Sequence, residues 1–152
     1  MALTVRPVRK HDAARWSEMR QALWPDDTGT HADEVARFFA GRLRIPLAVF
    51  IAEEDGAVVG FAELNIRPYA EGCTTDRVAF LEGWYVEPSA RGVGVGRALV
   101  AAAEGWAIDQ GCTEFGSDIV ADNDASAAAH RALGFEEVEV VRCFKKTLTP
   151  NP

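Results

Sequence analysis

The period of the apolar positions changes several times along the chain, and each change predicts an element. "LTVRPVR" near the start alternates, as a strand does. From Asp12 to Trp24 the apolar residues Trp16, Met19 and Leu23 recur at helical spacing, which predicts a helix that Pro25 stops. "THADEVARFFAGRL" predicts a second helix. Thr30 with Asp33 resembles a capping box that has an acid in place of the usual Glu, and Gly41 weakens the last turn.

The next segments read as sheet. In "LAVFIAEEDGAVVGFAELNI" two apolar stretches flank Asp55-Gly56, which predicts a hairpin. "DRVAFLEGWYV" is a further strand, and its interior Gly83 marks a bulge or a close backbone approach. Leu99, Ala102, Ala103 and Trp106 then give helix spacing up to Gly111. "CTEFGSDIV" predicts a strand and "DNDASAAAHRALGF" a short helix that closes at Gly134. "EEVEVVRCFKKTL" alternates and predicts a last strand. The order is β-α-α-β-β-β-α-β-α-β, an α/β chain with a mixed sheet and helices on its faces. Linkers and repeats are absent, so residues 1–152 are expected to form one domain.

Composition narrows the function classes. At 48% hydrophobic, the chain can bury a substantial core. A run of about 18 apolar residues is missing, so no membrane span is expected. "MALTVRPVRKHD" lacks the apolar stretch of a signal peptide. Cys73, Cys112 and Cys143 are scattered, which fits free thiols in a reducing cytoplasm. His11, His31 and His130 are far apart and no metal-ligand spacing occurs, so no metal is expected. A net charge of −7 argues against nucleic acid. It suits a cationic ligand, or it serves solubility alone.

"VEPSARGVGVGRALVAAAEGWA" is the segment richest in chemistry. Glycines ahead of a helix let backbone N–H groups approach a bulky anion, and Arg91 adds a cation. The spacing Gly92, Gly94, Gly96 is not that of a dinucleotide fingerprint, and no P-loop lysine follows. By itself the run leaves an anion site and a flexible connection both open. Arg91, Gly94 and Gly96, however, match the (Q/R)xxGx(G/A) motif. With "FLEGWYVEPSARGVGVGRAL" and "DNDASAAAHRALGF", the chain resembles the GNAT family of acetyl-CoA-dependent N-acetyltransferases. A narrower resemblance, to aminoglycoside 6'-N-acetyltransferases, rests on "LW" at 23–24, "FLEGWYV", "CTEFGSD", "DN" at 122–123 and "HRALGF".

The resemblance implies a GNAT fold, a mixed, mostly antiparallel sheet splayed at a central bulge and flanked by helices. It implies that the backbone of Trp84, Tyr85 and Val86 meets the pantetheine arm of acetyl-CoA. Arg91, Gly92, Val93, Gly94, Val95 and Gly96 would hold the pyrophosphate, and Asn123 the pantetheine end. It also implies a homodimer.

On the acceptor side, Glu82 sits inside the apolar strand "AFLEGWYV". An unpartnered buried carboxylate is costly, so Glu82 is expected to face a cleft, bind an ammonium and take its proton. The competing reading is a solvated glutamate on an alternating strand. By resemblance, Asp118 contacts the aminoglycoside; alternatively it caps a helix. Glu139 reaches the same cleft or is a solvated strand residue. Trp24 and Tyr69 wall the pocket, although Trp24 also fits a helix core. His130 stands where many family members carry a tyrosine acid, and its chemical role is open. The reading is an aminoglycoside 6'-N-acetyltransferase. The alternatives are a polyamine or other small-amine acetyltransferase, and a non-catalytic acetyl-CoA sensor.

Overall fold

An alternating segment becomes a strand only where a neighbour supplies its backbone hydrogen bonds, and five segments find one. The structure is a computed structural model and describes residues 2–151. Strands β1 (Leu3–Pro7), β2 (Ala48–Glu54), β3 (Ala57–Arg67), β4 (Val78–Val86) and β5 (Phe115–Ser117) lie side by side in chain order. The first four pair antiparallel, and β5 runs parallel to β4. Helices α1 (Ala13–Leu23) and α2 (Thr30–Phe39) connect β1 to β2. Helix α3 (Val95–Asp109) joins β4 to β5, and α4 (Asp124–Ala132) follows. The chain forms two compact units, one running to Asp118 and one beginning at Ile119.

Within the first unit, the period of two divides the sheet into two apolar faces. Phe61 on β3 and Ile51 on β2 pack with Trp16, Met19 and Val35 of α1 and α2. On the opposite face Ile66 and Ala79 pack with Trp106 and Ala107 of α3. The predicted helical residues Trp16 and Met19 are fully buried, as their spacing requires. At the sheet edge Arg6 makes two bonds to Asp12, of 2.8 and 2.9 Å, and also binds Glu53. This ties β1 and β2 to the entry of α1. Arg6 holds the Asp12 carboxyl below its ordinary range.

Four expectations change. Thr30 is not a cap: α2 begins at Thr30 itself, and the N-cap is Gly29 in the left-handed region. Helix α2 ends at Phe39, before Gly41, and β5 is confined to three residues. "EEVEVVRCFKKTL" forms no strand among the described residues. Alternation makes a segment able to pair, but it does not supply the partner, and Val138, Val140, Phe144 and Leu148 are exposed there.

One buried group beneath α1 was not anticipated. Glu63 of β3 is 2% exposed. It accepts a 3.0 Å bond from the Trp16 indole and lies 3.1 Å from Arg20 Nε, while Arg20 also pairs with Glu34 at 2.7 Å. Burial outweighs the nearby guanidinium and pushes the Glu63 carboxyl up to about 7. The folded state therefore binds this proton more tightly than the unfolded chain, whose carboxyl sits near 4.5. Stability from this group is complete below about 4.5 and is lost as pH rises to about 7. Glu63→Gln is expected to remove that decline, worth at most about 3 kcal/mol. Urea midpoints measured from pH 4.5 to 8 check this; an unchanged pH slope in the variant would count against it.

Candidate active site

Glu82 owes its position to one extra residue in β4. Glu63 stands opposite Gly83, but the next residue of β3, Leu64, stands opposite Leu81. Glu82 is thus the unpaired member of a β-bulge. A regular strand would send Glu82 and Gly83 to opposite faces. Here both serve the α1 face. Glu82 meets Asn65 and Arg67 of β3, while a Cβ on Gly83 would stand 2.5 Å from the Trp24 ring. The pairing of β4 with β5 covers Ala79 to Leu81 and ends where the bulge begins.

Glu82 is 14% exposed and does not stand alone. Arg67 Nη2 lies 2.5 Å from its Oε1, and Arg67 Nε lies 3.2 Å from Oε2. Asn65 Nδ2 reaches Oε2 at 3.5 Å. The Arg67 guanidinium also lies over the Phe80 ring, 3.5 Å from its centroid. On the other side of the bulge stands Trp24, the residue that ends α1. Its ring is fixed from several directions. Arg20 lies 5.3 Å from its centroid, His31 stacks at 6.4 Å, and His31 Nε2 donates to the Trp24 carbonyl at 2.6 Å. Only a bare backbone at Gly83 admits that ring edge.

At the end of β4 the chain turns into α3 through Arg91–Gly94. Gly94 is the N-cap of α3 with φ of 94°, and Gly92 has φ of 82°. Left-handed backbone is costly for residues with a β-carbon, so the sequence puts glycine there. The space where a Cβ would stand is open at both positions. The first turn of α3 presents N–H groups that have no partner within the helix. Arg91 bends back, and its Nε donates to the Val86 carbonyl at 2.7 Å. Gly96 has a separate reason to be glycine: its Cβ would stand 3.0 Å from the Trp84 ring.

A bulged strand carrying an acid thus runs into a glycine-capped helix. Residues 16–135 match the model of the acetyltransferase (GNAT) family. The chain belongs to the GNAT family. It is 58% identical over 146 residues to the aminoglycoside N(6')-acetyltransferase type 1 of Klebsiella aerogenes, covering 95% of this chain and 96% of that protein. Identity to the Stenotrophomonas maltophilia protein of the same name is 44%, over 99% of this chain and 97% of that one. Among solved structures, AAC(6')-Iy in complex with the bisubstrate analogue CoA-S-monomethyl-acetylneamine superposes with a TM-score of 0.88 at 36% identity. That match covers 97% of this chain and all of the other. The five-strand sheet with its flanking helices is the GNAT fold.

On this GNAT sheet the predicted residues are distributed as follows. Glu82, Trp24 and the Trp84–Val86 backbone gather at the bulge and the strand that leaves it. Tyr69 is 64% exposed, two residues beyond Arg67, so it is not a core residue. Asp118 follows β5, is exposed, and caps no helix. The cap of α4 is Asn123, whose Oδ1 accepts from the Ser126 N–H at 3.1 Å. Glu139 lies in the exposed extended segment of the second unit. His130 Nδ1 donates to the Ser126 carbonyl at 2.7 Å, and its ring meets Phe135. Sequence reasoning missed Arg67, Arg20 and Glu63; strand register brings Arg67 and Glu63 to the bulge, and the packing of α1 on the sheet brings Arg20.

The Trp24–Gly83 contact carries a prediction. Gly83→Ala should destabilise the protein by about 1–3 kcal/mol, because a ring end must move. In a Trp24→Ala background the same change should cost almost nothing. A double-mutant cycle on urea midpoints measures the coupling. Equal penalties in both backgrounds would refute the contact.

Proposed function

We propose that this chain is an acetyl-CoA-dependent N-acetyltransferase acting on the 6'-amine of aminoglycosides, and so an antibiotic-resistance enzyme. The observation that carries the reading is the bulge. It raises the carboxylate of Glu82 from an apolar strand beside a fixed aromatic wall, Trp24. An amine in water is mostly protonated, with a pKa near about 10. Glu82 binds the ammonium and accepts its proton, directly or through a water, so that the nitrogen lone pair is free. Trp24 and Tyr69 give apolar faces to a sugar ring, and Asp118 and Glu139 add acceptors for its other ammonium groups.

The opposite end of β4 fits a CoA-type donor. The open space at Gly92 and Gly94 and the N-terminus of α3 suit a diphosphate. Arg91, Val93, Val95 and Gly96 complete that cradle. The backbone of Trp84, Tyr85 and Val86 lies beyond the reach of β5, as an added strand-like ligand requires. Asn123 serves the pantetheine end with its amide nitrogen, since its oxygen is held by the helix cap. Acetyl-CoA supplies the activated acetyl thioester.

Residues 1–152 act as one GNAT domain, since the family match spans both compact units. The enzyme works as a homodimer in the cytoplasm. The three free cysteines support a reducing compartment. The exposed apolar side chains from Val138 to Leu148 support burial against a second copy, Phe144 being 91% exposed.

Two measurements test the reading. CoA release with kanamycin, with spermidine and with no acceptor should show turnover with kanamycin above the other two, and the product should carry acetyl at the 6' nitrogen by NMR. Turnover with spermidine alone would shift the reading to a polyamine enzyme, and no turnover to a sensor. Glu82→Gln keeps the shape and removes the basicity. It should lower kcat/KM for the amine on the order of 10²-fold while leaving the acetyl-CoA KM near its original value. Near-normal turnover at neutral pH would take Glu82 out of the proton path.

A further inference from the structure

The carboxylate assigned to the acceptor ammonium already holds a cation. Arg67 ends β3, and its guanidinium spans both oxygens of Glu82. A carboxylate offers about four acceptor positions. The fork of Arg67 donates once to Oε1 and twice to Oε2, and Asn65 approaches Oε2 from β3 as well. Little of Glu82 is left for an incoming ammonium, which itself brings three donors. The guanidinium is also seated on the Phe80 ring, so it is held by more than charge. Yet its side chain is 34% exposed, against 14% for Glu82. Arg67 therefore has somewhere to go, and the carboxylate does not.

We propose that Arg67 is an internal stand-in for the acceptor ammonium, a competing cation that every productive amine must displace from Glu82. This rests on the acceptor role given to Glu82 above. The exchange has a cost. An amine that carries one charge trades one cation for another at Glu82 and gains little. A polycation also has ammonium groups that contact other acceptors, and those contacts offset the release of Arg67. Guanidinium on Glu82 thus sets a cost common to every amine, and an amine with contacts to a second acidic group binds tightly enough to meet it. It also keeps the free protein from burying an unpaired carboxylate.

Arg67→Gln removes the competing charge and keeps a polar side chain of similar reach. The expected result is a drop of about tenfold in KM for a small monoamine acceptor, the scale of a lost charge-assisted hydrogen bond. For kanamycin the KM should fall by a similar factor, because the release of Arg67 is a cost common to every amine. The acetyl-CoA KM should stay constant. Circular dichroism and thermal melting confirm that the variant is folded. A kcat that falls with unchanged acceptor KM would mean that Arg67 only positions Glu82, and the proposal would be overturned. Acceptor KM values that stay unchanged for both amines would overturn it as well.

A second readout needs no variant activity. The Nε–H resonance of Arg67, assigned by its loss in Arg67→Gln, should move toward a solvent-exposed position when wild-type protein is saturated with kanamycin. A resonance that stays in place on saturation would contradict displacement. If wild-type protein turns over no aminoglycoside, the functional reading fails on its own assay. The acceptor KM and the resonance can still be measured with whichever amine the acceptor panel selects.

Discussion

The rest of the site depends on a single inserted residue in β4. Between Leu81 and Gly83 the ladder skips Glu82, and every residue after it changes face relative to an unbroken strand. Because of that shift Tyr85 joins Phe61 on the α1 face, where both belong to the buried core. By the same shift Trp84 turns to the opposite face and meets Gly96 in the first turn of α3. Without the bulge, Trp84 would be driven into the α1 core and Tyr85 toward α3. One insertion therefore sets the positions of Glu82 and Trp24 and the packing of the glycine-capped turn together.

The two carboxylates around the bulge are neutralised by different means. Glu63 lies opposite Gly83, almost wholly buried, with Arg20 and the Trp16 indole as partners. That network fixes the end of α1, since Arg20 also lies against Trp24. Removing one partner of such a buried pair leaves an uncompensated charge, so its members are constrained together. Glu82 lies nearer to water and holds a partner that is itself half-exposed. The first pair holds the wall of the site still, and the second can open.

The difference also explains what could be read from the sequence. Glu82 was visible because a carboxylate within "AFLEGWYV" breaks an apolar run, and the glycine loop because its signal is local. Gly83 was legible as a bulge or a close approach, and it is both. Arg67 was not legible. It lies 15 residues from Glu82 in the chain, and only the register of β3 against β4, shifted by the bulge, sets them side by side. Glu63 and Arg20 escaped because charged residues in alternating or helical segments read as solvent-facing. The last alternating segment failed differently. Its pattern describes a strand, but a strand is a relation between two segments, and one of them is missing from the described chain.

Charge acts at two ranges in this molecule. The net charge of −7 attracts a polycation through water, and salt screens that attraction over a Debye length of about 8 to 10 Å. At contact distance, the carboxylate that would receive the amine is met by a guanidinium, and the local charge is near balance. Attraction of the whole molecule thus does not select which amine reacts. At Glu82 every amine must release Arg67, and contacts beyond Glu82 decide which amine binds well enough to do so. The acidic surface governs how often a cation arrives, and Arg67 governs how hard the carboxylate is to open. Salt acts mainly on the first and much less on the second, because a half-buried, bidentate ion pair excludes the ions that would screen it.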